Sequence, residues 1–182
     1  MRYVFKLENK ISSFEFSRLE DLLVPLFSFS YHFSKSYHGN HVLYFSSKPK
    51  WRLFLYDKNT LIGSLSIVER KIHTPFQLSI AGIGNLGIKP SYQAKGLAMS
   101  MLEHAHHFAK KQGMNISLLF CIPEKSNLYV KTGYAKLERP VFYEDNSETK
   151  MELLSYAYPL SIDKKKFDQI VNRELNIGKG SW

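Results

Sequence analysis

The residues best ordered for chemistry lie at 85–111, N-L-G-I-K-P-S-Y-Q-A-K-G-L-A-M-S-M-L-E-H-A-H-H-F-A-K-K. A short apolar run stops at Pro90, which has no N–H to give to a ladder. Ser91 to Gly96 then bring an amide side chain, a lysine and a glycine. From Leu97 the apolar residues take helical spacing, with Leu97, Met101, Leu102, Ala105, Phe108 and Ala109 on one face. Strand, glycine-bearing turn and helix in that order leave unpaired N–H groups at a helix N-terminus, where the macrodipole also favours an anion. The bend formed by Gln93, Ala94, Lys95, Gly96, Leu97 and Ala98 is therefore expected to grip a pyrophosphate. Gly96 lets the backbone come close, Ala98 leaves the space open, and Lys95 adds a point charge.

The run Q-A-K-G-L-A resembles the acyl-CoA pyrophosphate loop of the GNAT superfamily of N-acyltransferases, whose pattern is Gln/Arg-x-x-Gly-x-Gly/Ala. The preceding L-G-I-K-P-S-Y is similar to that family's strand ending in V-x-P-x-Y/W. Downstream, Asn127 to Tyr134 (N-L-Y-V-K-T-G-Y) resembles its Y/F-x-x-x-G-F/Y segment with an upstream asparagine. A lone short glycine pattern arises by chance, but three matches in order on the expected elements do not. The resemblance implies an α+β fold: a mixed, mostly antiparallel central sheet flanked by helices, forming a single domain over residues 1–182. It also implies acetyl-CoA, or another acyl-CoA, as co-substrate, and acyl transfer by direct attack on the thioester by the amine of a small-molecule or peptide acceptor.

Acyl transfer from a thioester needs a cofactor grip, an oxyanion donor, an acid for the thiolate and a route for the acceptor's proton. The strand expected at Gln77 to Ile88 carries Gly82, Gly84 and Gly87, and glycine inside a strand suggests a bulge or a close backbone approach. The family's corresponding strand is bulged and splayed, so the resemblance implies that Leu86, Gly87 and Ile88 offer backbone groups to the pantetheine arm. The Ile88 N–H is the favoured oxyanion donor. Asn127 matches a position that contacts the cofactor. Tyr129 matches the tyrosine that faces the sulfur, and a phenol with pKa about 10 stays protonated at neutral pH. Tyr134 is expected to pack. Many members carry a glutamate on the splayed strand, but Gln77 to Ile88 holds no carboxylate. Glu69 is the nearest candidate base and His73 another, with a water-mediated base or an acceptor arriving deprotonated left open.

The whole chain also resembles, more weakly, the branch holding aminoglycoside 2′-N-acetyltransferases and nodulation N-acyltransferases. In the former, an acidic C-terminal segment ending in tryptophan lies by the cationic sugar. Here the closing residues are Gly178-Lys-Gly-Ser-Trp182, with Lys179 where an acid would be wanted. That departure argues against aminoglycosides. Trp182 stays an alternative acceptor contact to a frayed terminus.

A net charge of +9 and a pI of about 9.5 raise a nucleic-acid reading. The basic residues are scattered, however, and Lys164-Lys165-Lys166, their one run, reads as a solvated face. Such a surface suits an anionic cofactor and suits a polycation badly. The lack of a carboxylate on the strand favours the alternative of a non-catalytic acyl-CoA-binding or regulatory module. His104, His106 and His107 fall largely off the apolar stripe with no Cys or carboxylate set beside them, so no metal is expected. Cys121 falls near the expected thioester, but a buried structural thiol is the commoner outcome than an acyl-enzyme.

The remaining elements frame these residues. Hydrophobic residues at 44% and aromatics at 14% suit a globular core. No apolar run approaches ~18 residues, no signal peptide is expected, and a single cysteine fits the reducing cytoplasm. A homodimer is compatible with all of this. Strands are expected at Met1–Leu7, Trp51–Tyr56, Leu61–Arg70, Gln77–Ile88, Asn115–Ile122, Ala135–Tyr143 and Met151–Ile162. Helices are expected from Ser12 or Ser13 to near Pro25, from Leu97, and at Ser126–Lys131, with a terminal helix or extension at Phe167–Leu175. Phe27 to Ser47 reads as a short helix plus loop. It resembles the family's acceptor cover, which makes Tyr31, His32, Tyr37, His38 and His41 candidate substrate contacts, with aromatic packing the alternative.

Overall fold

The computed structural model describes residues 1–27, 36–37, 40–41, 47–145, 147–152 and 154–182. The chain opens with β1 (Arg2–Leu7) and α1 (Ser13–Phe27). A reciprocal cap starts α1: the Ser12 hydroxyl accepts from the Glu15 N–H at 3.3 Å, and the Glu15 carboxylate accepts from the Ser12 N–H at 3.1 Å. Two short strands, β2 (Ser36–Tyr37) and β3 (Asn40–His41), pair with each other. Then come β4 (Trp51–Asp57), β5 (Thr60–His73) and β6 (Gln77–Ile88), followed by α2 (Leu97–Lys111), β7 (Ile116–Phe120) and α3 (Ser126–Lys131). The chain closes with β8 (Ala135–Lys136), β9 (Val141–Asp145), β10 (Glu148–Glu152), β11 (Ser155–Pro159), α4 (Lys164–Val171) and β12 (Leu175–Lys179).

Seven strands form the main sheet in the order β1-β4-β5-β6-β7-β11-β8, antiparallel except for the β6–β7 pair. Its two faces alternate along β6 as the pleat demands. Ala81 and Ile83 pack with Met101, Leu102 and Ala105 of α2 on one face. On the other, Leu78 and Ile80 pack with Ile170 of α4, Leu175 and Ile177 of β12, and Trp182. Helix α1 covers the same second face further along, with Leu19, Leu22 and Leu23 against Phe54 and Tyr56. This is the expected α+β sheet-and-helix architecture.

Several boundaries differ from the sequence expectations. The run 135–143 breaks at Pro140, which has no N–H for a ladder, so β8 stays in the main sheet while β9 leaves it. The run 151–162 likewise divides between β10 and β11. Strands β10, β9 and β12 make a second, three-stranded sheet that the alternation did not announce. The segment expected at 167–175 is a helix begun earlier, at Lys164, where the Asp163 side chain accepts from the Lys166 N–H at 2.9 Å.

Candidate active site

The sheet opens where β6 and β7 part. They pair in parallel at Ile80–Ile116, Ala81–Ser117 and Gly82–Leu118, while β6 runs on to Ile88 and β7 to Phe120. The β5–β6 register shifts in the same stretch: Ser66 faces Gly84 but Ser64 faces Gly87, so Asn85 and Leu86 stand together opposite Leu65. Asn85 takes up the extra length at φ +52°. The bulge bends β6 away from β7 and leaves a gap between them. Beyond the bulge the Lys89 N–H donates to the Ile62 carbonyl at 2.8 Å. By the alternation of an antiparallel ladder, the N–H of Ile88 is then turned the other way, into the gap.

Next to the gap lies the bend expected from sequence. Pro90 to Tyr92 make a 3-10 turn, and the Gln93 side-chain amide donates to the Ile88 carbonyl at 2.8 Å, tying the bend to the strand end. Ala94 and Gly96 sit at φ +59° and +75°, which folds the chain sharply into α2. Gly96 is the residue before the helix and has no side-chain cap. Among the described residues, the N–H groups of Ala94 through Met99 find no hydrogen-bond acceptor. The bend is solvent-exposed, and α2 carries no acidic residue in its first turn. Lys95 folds back, donating to the Ser91 carbonyl at 3.1 Å over the Tyr92 ring. What results is a row of free amides at the positive end of a 15-residue helix.

On the α2 face of the gap, Tyr129 of α3 packs against the main core together with Cys121. Its ring meets Tyr134 edge-on at 5.9 Å, and burial pushes its phenol up to about 12, with Cys121 adding to the shift. Tyr129 therefore holds its proton throughout the neutral range. The Cys121 thiol is pushed up to about 11 by burial, which leaves it protonated and a poor nucleophile. Asn127 is exposed on the first turn of α3.

Tyr134 does pack, but it also anchors a buried polar cluster. Its hydroxyl lies 2.8 Å from His106 Nε2 and 2.7 Å from the Ser117 hydroxyl, and His106 stacks on Tyr158 at 4.0 Å. This corrects the placing of His106 on the polar side of its helix. It is 8% exposed, and burial lowers its pKa to about 4. A histidine at helical spacing with Leu102 and Ala109 was the available signal; its partner Tyr134, far along the chain, was not. Among the described residues no group of His, Cys, Asp or Glu is arranged to hold a metal.

The two candidate bases both lie on β5, the strand next to β6 on the side away from β7. Glu69 faces Ala81 on β5, one strand removed and before β6 and β7 part, and it is ion-paired with Lys50. His73 is exposed where β5 turns toward β6, facing Gln77 at the far end of the hairpin. Of the candidate acceptor contacts, Tyr31, His32 and His38 lie outside the described residues, and for Tyr37 and His41 only the backbone pairing is described.

Trp182 is not frayed. It is 5% exposed, its indole lies directly against Gly82, and its Nε1–H donates to the Leu118 carbonyl at 3.2 Å. It thus fills the second face at the very register where the strands separate. Arg70 holds the approach, donating to the carbonyls of Lys179 and Gly180 and to the Ser47 hydroxyl.

A bulged strand splayed from a parallel neighbour, with free amides at the following helix, defines the acyl-CoA N-acyltransferase class of fold. The chain belongs to the GNAT acetyltransferase family, whose profile, described as an acetyltransferase (GNAT) domain, matches residues 21–137. Among solved structures, the GNAT family N-acetyltransferase YhbS from Escherichia coli, in complex with CoA, is 13% identical with a TM-score of 0.59, over 98% of this chain and 90% of that one. A GCN5-related N-acetyltransferase from Anabaena variabilis is 23% identical with a TM-score of 0.55, over 75% of this chain and 32% of that one. Another, from Kribbella flavida, is 20% identical with a TM-score of 0.43, over 47% of this chain. The chain spans only 21% of the Kribbella protein and 32% of the Anabaena protein. At these identities the likeness is one of fold. Comparison with curated proteins finds no match. Among the described residues no helix is long and apolar enough to cross a membrane.

Proposed function

We propose that residues 1–182 form a single cytoplasmic domain that transfers an acetyl group from acetyl-CoA to an amine by direct attack on the bound thioester. The observation that carries this reading is the row of unpartnered amides from Ala94 to Met99, opening beside the gap between β6 and β7. The pyrophosphate rests on the amides of Ala94 to Ala98, with the Lys95 ammonium nearby and Gln93 fixing the bend. The pantetheine arm runs along Leu86, Gly87 and Ile88 in place of the missing strand partner, and Asn127 borders it from α3. The Ile88 N–H receives the carbonyl oxygen as it gains charge. Tyr129 gives its proton to the departing sulfur. The family's neighbour YhbS was solved with CoA, which supports the choice of cofactor.

Calorimetry with acetyl-CoA is the direct test, with saturable binding at micromolar to millimolar ligand expected. No binding at millimolar acetyl-CoA would remove the reading. Tyr129→Phe is expected to lower turnover about 100-fold or more while keeping acetyl-CoA affinity; unchanged turnover would remove Tyr129 from its role. The absence of a carboxylate from β6 favours a second reading, a non-catalytic acyl-CoA-binding module. It predicts binding without thiol release for any amine offered.

A further inference from the structure

Acetyl transfer to an amine needs a group that accepts the ammonium's proton, and Glu69 and His73 both lie on β5, at register positions ahead of the point where β6 and β7 part. We propose that Glu152 is that group: it receives the acceptor's ammonium at the open end of β7, on the face opposite Tyr129, and takes its proton. The proposal rests on the acetyltransferase reading above.

Glu152 ends β10, directly before the chain re-enters the main sheet. The Leu154 carbonyl accepts from the Cys121 N–H at 3.3 Å, Ser155 faces Phe120, and the Ser155 hydroxyl donates to the Glu152 carbonyl at 3.2 Å. Glu152 therefore stands at the end of β7 where the gap widens. Its side chain faces inward: it is paired with Val141, which is fully buried in the cluster holding Trp182 and Leu118, and paired residues share a face. The Tyr143 hydroxyl donates to Oε1 at 3.4 Å, and the Ser181 side chain bonds that same phenol, so the carboxylate is held to the segment that seats Trp182 over Gly82. Oε2 accepts no hydrogen bond among the described residues. This is a half-buried carboxylate with one oxygen anchored and the other free.

Placement suits the reaction. Tyr129 and Cys121 flank the gap from the α2 face, while Glu152, Phe120 and Trp182 lie toward the other. The acid for the sulfur and the acceptor of the amine's proton are thus on separate sides. The ammonium gives one proton to Glu152. The freed amine attacks the thioester carbonyl, forming C–N and breaking C–S. The electron pair leaves on sulfur, which takes the Tyr129 proton. The new amide's surplus proton restores Tyr129 through solvent, and Glu152 releases its own, so one proton is lost per turnover. Burial raises the pKa of Glu152, which narrows the gap in basicity between a carboxylate and an amine. The groups beside it are Tyr143 of β9, whose phenol the Ser181 side chain also bonds, and Lys150 of its own strand, itself bonded to Asp145 at 2.8 Å.

The test compares the parent with Glu152→Gln, using thiol release from acetyl-CoA with spermidine, tyramine and an alanyl peptide as probe amines. With whichever amine is turned over, the variant is expected to lose about 100-fold in kcat and the acidic limb of the pH profile. Acetyl-CoA affinity should be unchanged, and stability at neutral pH equal or higher, since a neutral amide removes the burial of a charge. Turnover within about threefold of the parent, with the same pH profile, would overturn the proposal. So would a loss of activity that merely follows a loss of folding. A second readout is the carbon-13 carboxyl resonance of Glu152 in the CoA-bound protein, expected to shift on adding a probe amine. If acetyl-CoA binds, yet no amine is turned over and none moves that resonance, Glu152 is not the receiver. If acetyl-CoA fails to bind, the acetyltransferase reading itself has fallen.

Discussion

Gly82→Ala tests whether Trp182 is seated as described. A Cβ at Gly82 lies 2.2, 2.4 and 2.7 Å from Cε2, Cδ2 and Cζ2 of the indole, well inside contact distance. The ring has little freedom to slide, because Phe120 lies against it at 5.3 Å between centroids and Nε1–H is bound to the Leu118 carbonyl. The methyl must therefore push the ring out. Removing the ring by Trp182→Ala gives up roughly 200 Å² of apolar burial at ~25 cal/mol per Å², an upper bound of about 5 kcal/mol. With the hydrogen bond, worth about 1 kcal/mol net, a loss of about 3–5 kcal/mol is expected. Gly82→Ala alone should lose about 2–4 kcal/mol by displacing the same contacts. In the double variant the methyl occupies space the ring has left, so the further loss from Gly82→Ala should fall to near zero. Urea unfolding of the four proteins closes the cycle, with an expected coupling of about 2–4 kcal/mol. Losses that add within about 0.5 kcal/mol, or Trp182→Ala losing less than about 1 kcal/mol, would refute the reasoning.

Two other perturbations separate folding from function. Gly96 sits at φ +75° with open space where a Cβ would go. Gly96→Val should therefore lose only about 1–2 kcal/mol of stability while weakening acetyl-CoA binding about tenfold or more. A lowered melting temperature with unchanged affinity would show that the bend does not hold the cofactor. His106 is buried with its pKa lowered from 6.5 to about 4, so the neutral form is favoured on folding and its stability is full above pH 6.5. As pH falls from 8 to 5 the unfolded state takes up the proton first, and about 2 kcal/mol should be lost. His106→Gln should show a correspondingly smaller loss over that range in denaturant unfolding; an equal loss would place the acid sensitivity elsewhere.

The parts of the site readable in sequence are those built from neighbours along the chain. The β6–bend–α2 unit is local: a proline that ends a strand, a glycine at a left-handed turn and an apolar stripe all act within a few residues of one another. Element bounds such as Gln77–Ile88 and Ser126–Lys131 follow for the same reason. What escaped depends on pairings over long separations. His106 reads as a polar-face residue until Tyr134 is brought against it. The second sheet depends on β12 lying beside β9, and nothing within V-F-Y-E-D or L-N-I-G-K announces that. Glu152 reads as one more charge in a short alternating strand, because its burial comes from Tyr143 and the C-terminal segment.

The splay and the C-terminal segment are physically linked. When β6 bends away after Gly82, the carbonyls of β7 lose the donors that a continuing strand would have given, and a buried carbonyl without a donor is destabilising. The Trp182 indole adds a donor at Leu118, the last register position at which β6 and β7 still pair. Gly82 makes room for it, since any side chain there would occupy the same volume. Arg70 and Ser47 hold the approach through backbone groups of Lys179, Gly180 and Ser181, so no particular side chain is required at 179. The glycine pattern of β6 thus has two physical causes. The bulge at Asn85–Leu86 and the close packing of Gly87 on α1 shape the open end of the strand, while Gly82 and Gly84 admit the C-terminal segment against the second face of the sheet.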